Sequence, residues 1–125
     1  MRENDLSYII RGSIFEVYNT LGPGLLESVY QQTLAYELAE QQLDVRTEVP
    51  VPVVYKDQNM DMGFRIDVLV NKKVLIELKS VEQLHDVHHK QVLTYLKLTN
   101  LKLGLLVNFN SENISKAIFC KVNGL

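Results

Sequence analysis

The sequence predicts an α+β fold with the element order αα-βββ-α-ββ. Three observations predict it. The first forty residues carry apolar side chains at helical spacing, the pattern switches to period two at Val45, and one further amphipathic stretch after Asp86 separates short apolar runs.

Taken in order, the first helix starts after Asn4 or Asp5, either of which suits an N-cap, and places Leu6, Ile9, Ile10, Ile14, Val17 and Leu21 on one face. Gly22-Pro23-Gly24 ends it. A second helix begins at about Leu25, with Leu26, Tyr30, Leu34 and Leu38 as its apolar stripe. Val45 to Tyr55 then alternates as a strand, and Pro50 and Pro52 on one side of it favour a sheet edge, since each removes a ladder donor. Lys56 to Gly63 reads as a polar hairpin loop. Phe64–Val70 and Val74–Lys79 read as two short strands joined through Asn71-Lys72-Lys73. A helix from about Asp86 to Leu98, a buried strand Leu101–Phe109 and a last strand Ile114–Val122 complete the chain.

Composition bounds the function. The chain has 125 residues, 46% hydrophobic and 22% charged, which suits one folded domain over 1–125 and excludes disorder and low-complexity assembly. Its one cysteine, Cys120, forms no intrachain disulfide and reads as a small buried hydrophobe, in keeping with a reducing compartment. No signal-peptide pattern opens the sequence, and no apolar run approaches the roughly 18–20 residues of a membrane span. A cytoplasmic protein with no membrane partner is expected. The net charge of −2 gives no global basic footprint, yet residues 65–102 hold seven basic and four acidic side chains against four and ten in residues 1–64. The positive charge therefore collects around the central hairpin, where a phosphate-facing patch would sit.

That hairpin carries the chemistry. By strand alternation Arg65, Asp67 and Leu69 share one face and Phe64, Ile66, Val68 and Val70 the other; Leu75, Glu77 and Lys79 likewise oppose Val74, Ile76 and Leu78. A three-residue loop at 71–73 sets Asp67 directly opposite Glu77 and Arg65 opposite Lys79. Facing like charges destabilise a sheet by roughly a few tenths to 1 kcal/mol. A sequence that places two carboxylates together beside a lysine breaks a folding rule, as functional sites do. A divalent cation resolves the conflict, because Mg²⁺ takes one or two carboxylates together with waters and phosphate oxygens. The alternative is two separately solvated carboxylates on an exposed sheet face.

Asp67, nine residues, then Glu77-Leu78-Lys79 resembles the core motif of the PD-(D/E)XK nuclease superfamily, with Ile66 where proline is usual. Gln91 and Tyr95 of QVLTY resemble the glutamine-xxx-tyrosine helix motif of the RecB-like branch, and Gly24, Glu27 and Tyr30 of GLLESVY match the signature of the GxxExxY group. The resemblance runs from about Leu21 to Phe109. It implies a restriction-endonuclease-like core, a mixed sheet flanked by helices, and metal-dependent hydrolysis of nucleic-acid phosphodiester bonds. It implies Asp67, Glu77 and the Leu78 carbonyl as ligands of Mg²⁺, with Mn²⁺ as its substitute, Lys79 as the catalytic lysine and Glu27 as a further catalytic acid near the metal. Gln91 and Tyr95 flank the site, and Arg65, His88 and Tyr30 join them as expected substrate contacts. The expected partner is nucleic acid, DNA first, and cutting both strands calls for a homodimer.

Plainer readings stand beside these. Glu27 in a first helical turn is favoured by the helix dipole without any catalysis. Tyr95 also fits a core aromatic with its hydroxyl at the rim. His85, His88 and His89 are spaced for metal ligation, but no cysteine pair accompanies them, and His85 and His89 read as solvated. A non-catalytic nucleic-acid- or protein-binding module that keeps the fold is the alternative function.

Overall fold

The computed structural model describes residues 1–125 apart from the side chains of Asp61 and Met62. Its elements are α1 (Glu3–Leu21), α2 (Glu27–Glu40), β1 (Val45–Tyr55), β2 (Gln58–Val70), β3 (Val74–Lys79), α3 (Asp86–Thr99), β4 (Leu103–Asn108) and β5 (Ile118–Val122), with a 3₁₀ turn at Ile114–Lys116 before β5. The expected order is reproduced. One sheet, ordered β1-β2-β3-β4-β5, is mixed: β3 and β4 run parallel, joined through α3, and every other neighbouring pair is antiparallel.

Each sheet face has its own core. Leu6, Ile10, Ile14 and Val17 of α1 and Tyr30, Leu34 and Leu38 of α2 pack on Val68, Ile76, Leu105 and their neighbours. On the other face Val92 and Leu96 of α3 meet Leu75 and Leu106. Gly104 of β4 lets α3 approach closely, because a Cβ there would lie 2.9 Å from Val92 Cγ1 and 3.1 Å from Leu75 Cδ1.

The break between α1 and α2 is built by a tyrosine. Gly22 (φ 73°) takes the chain out of α1, and the Tyr30 hydroxyl then donates to the Gly22 carbonyl (2.6 Å) and accepts from the Leu25 amide (3.1 Å). Helix α2 starts only at Glu27, so Leu26 is a flanking residue, 74% exposed rather than part of the stripe.

Several expectations are corrected. The polar stretch 56–63 is mostly strand: Lys56 and Asp57, both at positive φ, make a two-residue turn, and β2 begins at Gln58. Polar composition there marks an exposed edge hairpin rather than a loop. The edge position of β1 holds, with the register shifting between Val51 and Val53 around Pro52. The strand Leu101–Phe109 is trimmed to Leu103–Asn108, and Ile114–Lys116 is a turn capped by the Asn113 side chain. Cys120 is exposed on β5, not buried.

The largest correction concerns facing. Val68 and Val70 pack toward α1 and α2, but Phe64 and Ile66 pack toward α3 with Leu75 and Leu69. Strand β2 reverses its facing at Asp67.

Candidate active site

The turn at 71–73 sets the hairpin register as expected, with Val70↔Val74, Leu69↔Leu75 and Val68↔Ile76. The ladder then stops. Where Asp67 would pair with Glu77, the strands part and side chains bridge the gap. The Leu78 amide donates to Asp67 Oδ2 at 2.8 Å, and the Asp67 amide donates to Glu77 Oε1 at 3.3 Å. Each carboxylate thus caps a backbone donor that the lost ladder would have left open. Because the ladder ends, Arg65 never comes opposite Lys79.

Glu77 is 8% exposed, and burial followed by the charge of Asp67 pushes its carboxyl up to about 8. Asp67 is also raised, by burial first and then by the like charges of Glu48 and Glu27, against the lowering effects of the Leu78 amide and Lys79. Two partly desolvated acids side by side disfavour both negative charges. Lys79 follows on the same strand, half-buried, yet among the described residues the one ion pair is Arg46–Asp44, so no lysine neutralises the acids directly.

The donor set suits a hard cation. Among the described residues no hydrogen bond reaches Asp67 Oδ1 or Glu77 Oε2. A strand residue points its N–H and C=O to the same edge, so the Leu78 carbonyl faces the Asp67 gap as its amide does. That makes an all-oxygen set of two carboxylates and a carbonyl, the donor type a hard cation takes together with waters and phosphate oxygens. No group of three or more His, Cys, Asp or Glu residues that could hold a metal is gathered among the described residues. Glu27 makes no hydrogen bond to the pair among the described residues: its Oε2 accepts from the Ser80 amide at 3.3 Å, while Ser80 Oγ donates to the Leu25 carbonyl at 2.5 Å. It remains close enough to raise both acids.

Helix α3 covers the same face. Tyr95 stacks on Phe64 with ring centroids 3.8 Å apart, and burial, Glu77 and Asp67 together raise its phenol. Gln91, one turn earlier, is exposed. His88 sits in the first turn of α3, where its Nδ1 accepts from the His85 amide at 3.1 Å; partial burial, then Lys79 and the neighbouring histidines, lower it. His85 is exposed as expected, whereas His89 packs edge-on against Phe119.

Two expected substrate contacts are not brought to the site. Tyr30 is fully buried, stacked on Phe109 at 4.3 Å, with its hydroxyl committed to the Gly22–Leu25 turn. Arg65 lies between Phe64 and Ile66, whose side chains face α3, so it points to the other side, and its Nη1 donates to the Glu48 carbonyl at 3.4 Å.

Sequence reasoning missed Asn108 and Glu48. Asn108, 6% exposed, pairs with Lys79 across the parallel ladder. Its Oδ1 accepts from the amides of Val81 (3.1 Å) and Asn110 (3.2 Å), and its Nδ2 donates to the Val81 carbonyl (3.0 Å). With the Phe109 amide donating to the Lys79 carbonyl at 2.9 Å, this fixes the strand end that carries Lys79. The signal was a lone amide closing the apolar run LGLLVN. Glu48 carried no such signal, since Arg-Thr-Glu-Val reads as ordinary strand.

Among the described residues, no helix is long and apolar enough to cross a membrane. No curated protein and no solved structure matches the chain. A family model does, over residues 4–119, nearly the whole length and every residue of the interlocked pair, its lysine and the helix above them. With the αα-βββ-α-ββ order and the mixed sheet, the fold is restriction-endonuclease-like, and the chain belongs to the PD-(D/E)XK nuclease superfamily.

Proposed function

We propose that the chain is a divalent-metal-dependent nuclease, a single catalytic domain of the GxxExxY group that hydrolyses phosphodiester bonds of DNA in the cytoplasm, two copies acting on two strands. The observation that carries this reading is the interlock of Asp67 and Glu77: two carboxyls held side by side, both raised, each with an oxygen left over and a lysine next on the strand. Such a pair is a poor structural device and a good cation site.

In this reading Asp67, Glu77 and the Leu78 carbonyl hold Mg²⁺, or Mn²⁺ in its place. The bound ion supplies Lewis-acid polarisation of the phosphoryl oxygen and a more acidic water. Lys79 orients the attacking water and offsets the charge that develops on the phosphate. Glu27 keeps Ser80 and the end of β3 in place from the α2 side, and Tyr95 and Gln91 flank the substrate from α3. His88, lowered by partial burial and then by Lys79 and the neighbouring histidines, contributes a ring nitrogen near the phosphate.

The test is cleavage of single- and double-stranded DNA and RNA with Mg²⁺, Mn²⁺ or chelator. Metal-dependent cleavage that disappears in Lys79→Ala supports the proposal. A Lys79→Ala protein that cleaves as well as the parent overturns it, and steep salt-dependent binding without any cleavage would identify a binding module instead.

A further inference from the structure

Strand β1 contains an irregularity that ordinary strand geometry does not explain. Among the described residues seven non-glycine positions have positive φ, and six of them lie at turns or just past helix ends: Gln42, Lys56, Asp57, Asn71, Lys72 and Asn100. The seventh, Glu48 (φ 50°), is inside a strand. A left-handed φ is unfavourable for any side chain other than those of asparagine and aspartate, and only glycine takes it freely.

Glu48 is also the broken rung of the β1–β2 ladder. Thr47 pairs with Val68 and Val49 with Ile66, while Glu48 and Asp67 between them are unpaired. Facing reverses across that rung on both strands. Val45 and Val70 pack toward α1 and α2, whereas Val49, Val51, Phe64 and Ile66 pack toward α3. Side chains two apart on a regular strand share a face, so this reversal needs an irregular backbone, and among the described residues Glu48 is the one position within β1 or β2 with a positive φ.

The consequences fall on Asp67. Released from the ladder with β1, it sends its amide to Glu77 Oε1 and its carboxylate to the Leu78 amide. The reversed arm beyond it carries Phe64 onto Tyr95.

We propose that Glu48 is a positioning residue whose left-handed backbone turns the β1–β2 ribbon over at this rung and so delivers Asp67 to the end of β3. That this placement serves catalysis rests on the proposed nuclease function; the placement itself does not.

The full-length metal-free protein tests it by amide hydrogen exchange in the parent and in Glu48→Gly, Glu48→Asn and Glu48→Val, with Mn²⁺ binding followed in parallel by water-proton relaxation. Glycine and asparagine accept the left-handed backbone and β-branched valine resists it. In Glu48→Val the amides of Leu78 and Asp67 are expected to lose at least about tenfold more protection than the β4 core amide of Leu105, and Mn²⁺ affinity to fall by about tenfold. Glu48→Gly and Glu48→Asn keep parental protection at Leu78 and Asp67. Unaltered protection in Glu48→Val, a loss equal to that at Leu105, or a loss in the glycine and asparagine variants matching that in valine would overturn the proposal. If Glu48→Val does not fold, the other two variants decide it. A parent that binds no Mn²⁺ counts against the nuclease function, and the amide protection still decides the pivot.

Discussion

Asp67 and Glu77 hold each other's strands: the carboxylate of Asp67 on β2 caps the amide of Leu78 on β3, and that of Glu77 on β3 caps the amide of Asp67. Two acids are therefore structural members of a joint that their own charges strain. The joint is well made when a proton or a cation is present and poorly made when neither is.

A pH dependence follows. Glu77 has an ordinary value of 4.5 and is raised to about 8 in the folded protein. The folded state therefore holds this proton more tightly than the unfolded state. The stability it contributes is complete below about pH 4.5 and is lost as pH rises toward about 8. The unfolding free energy from urea titrations with chelator is expected to fall between pH 5 and pH 8 by an amount on the order of 2 kcal/mol in the parent and far less in Glu77→Gln. Mn²⁺ affinity rises over the same window, since the proton must leave first. An equal slope in parent and variant would contradict the assignment of burial strain to Glu77.

Lys79 sits beyond the joint rather than in it, and no ion pair fastens it to either acid among the described residues. Lys79→Ala is expected to leave the unfolding free energy within about 0.5 kcal/mol of the parent and to lower cleavage by about 10²-fold or more. A large loss of stability with proportionate loss of cleavage would make Lys79 a structural residue.

Asn108 ties the segment after Lys79 with two hydrogen bonds to Val81, of 3.1 and 3.0 Å, and also accepts from the Asn110 amide at 3.2 Å. Asn108→Ala leaves the Val81 amide and carbonyl without their partner and is expected to cost about 1–3 kcal/mol. Because the same bonds fix the end of β3, kcat should drop with KM little changed. A drop confined to KM would place Asn108 against substrate instead.

Tyr30 provides the contrasting case. Its hydroxyl joins Gly22 to Leu25 from inside the core, so Tyr30→Phe should lower stability by about 1–2 kcal/mol and leave KM for nucleic acid unchanged. An increase in KM without loss of stability would restore it as a substrate contact.

Much of this arrangement was legible in the residues. Val74–Lys79 is the strand its period predicts, the 71–73 loop fixes the hairpin register, and Asp86 opens α3. Tyr30 belongs to the apolar stripe that its i, i+4 spacing with Leu34 and Leu38 indicates, and the stripe, not the motif around it, explains its burial. The reversal at Asp67 was not legible, because it depends on one backbone angle at Glu48, a residue type that seldom adopts it. The misplacement of Arg65, Phe64 and Ile66 follows from that single angle. The hairpin turn at Lys56-Asp57 was hidden for a related reason: both residues take positive φ without the glycine or asparagine that usually announces it.

The most direct test of the central claim is an anomalous difference map from crystals soaked in concentrated Mn²⁺. A peak is expected within about 2.0–2.4 Å of Asp67 and Glu77 carboxylate oxygens and the Leu78 carbonyl. A map with no peak there, the two side chains still clasping the amides of Leu78 and Asp67, would contradict it and leave the pair as a joint without a metal.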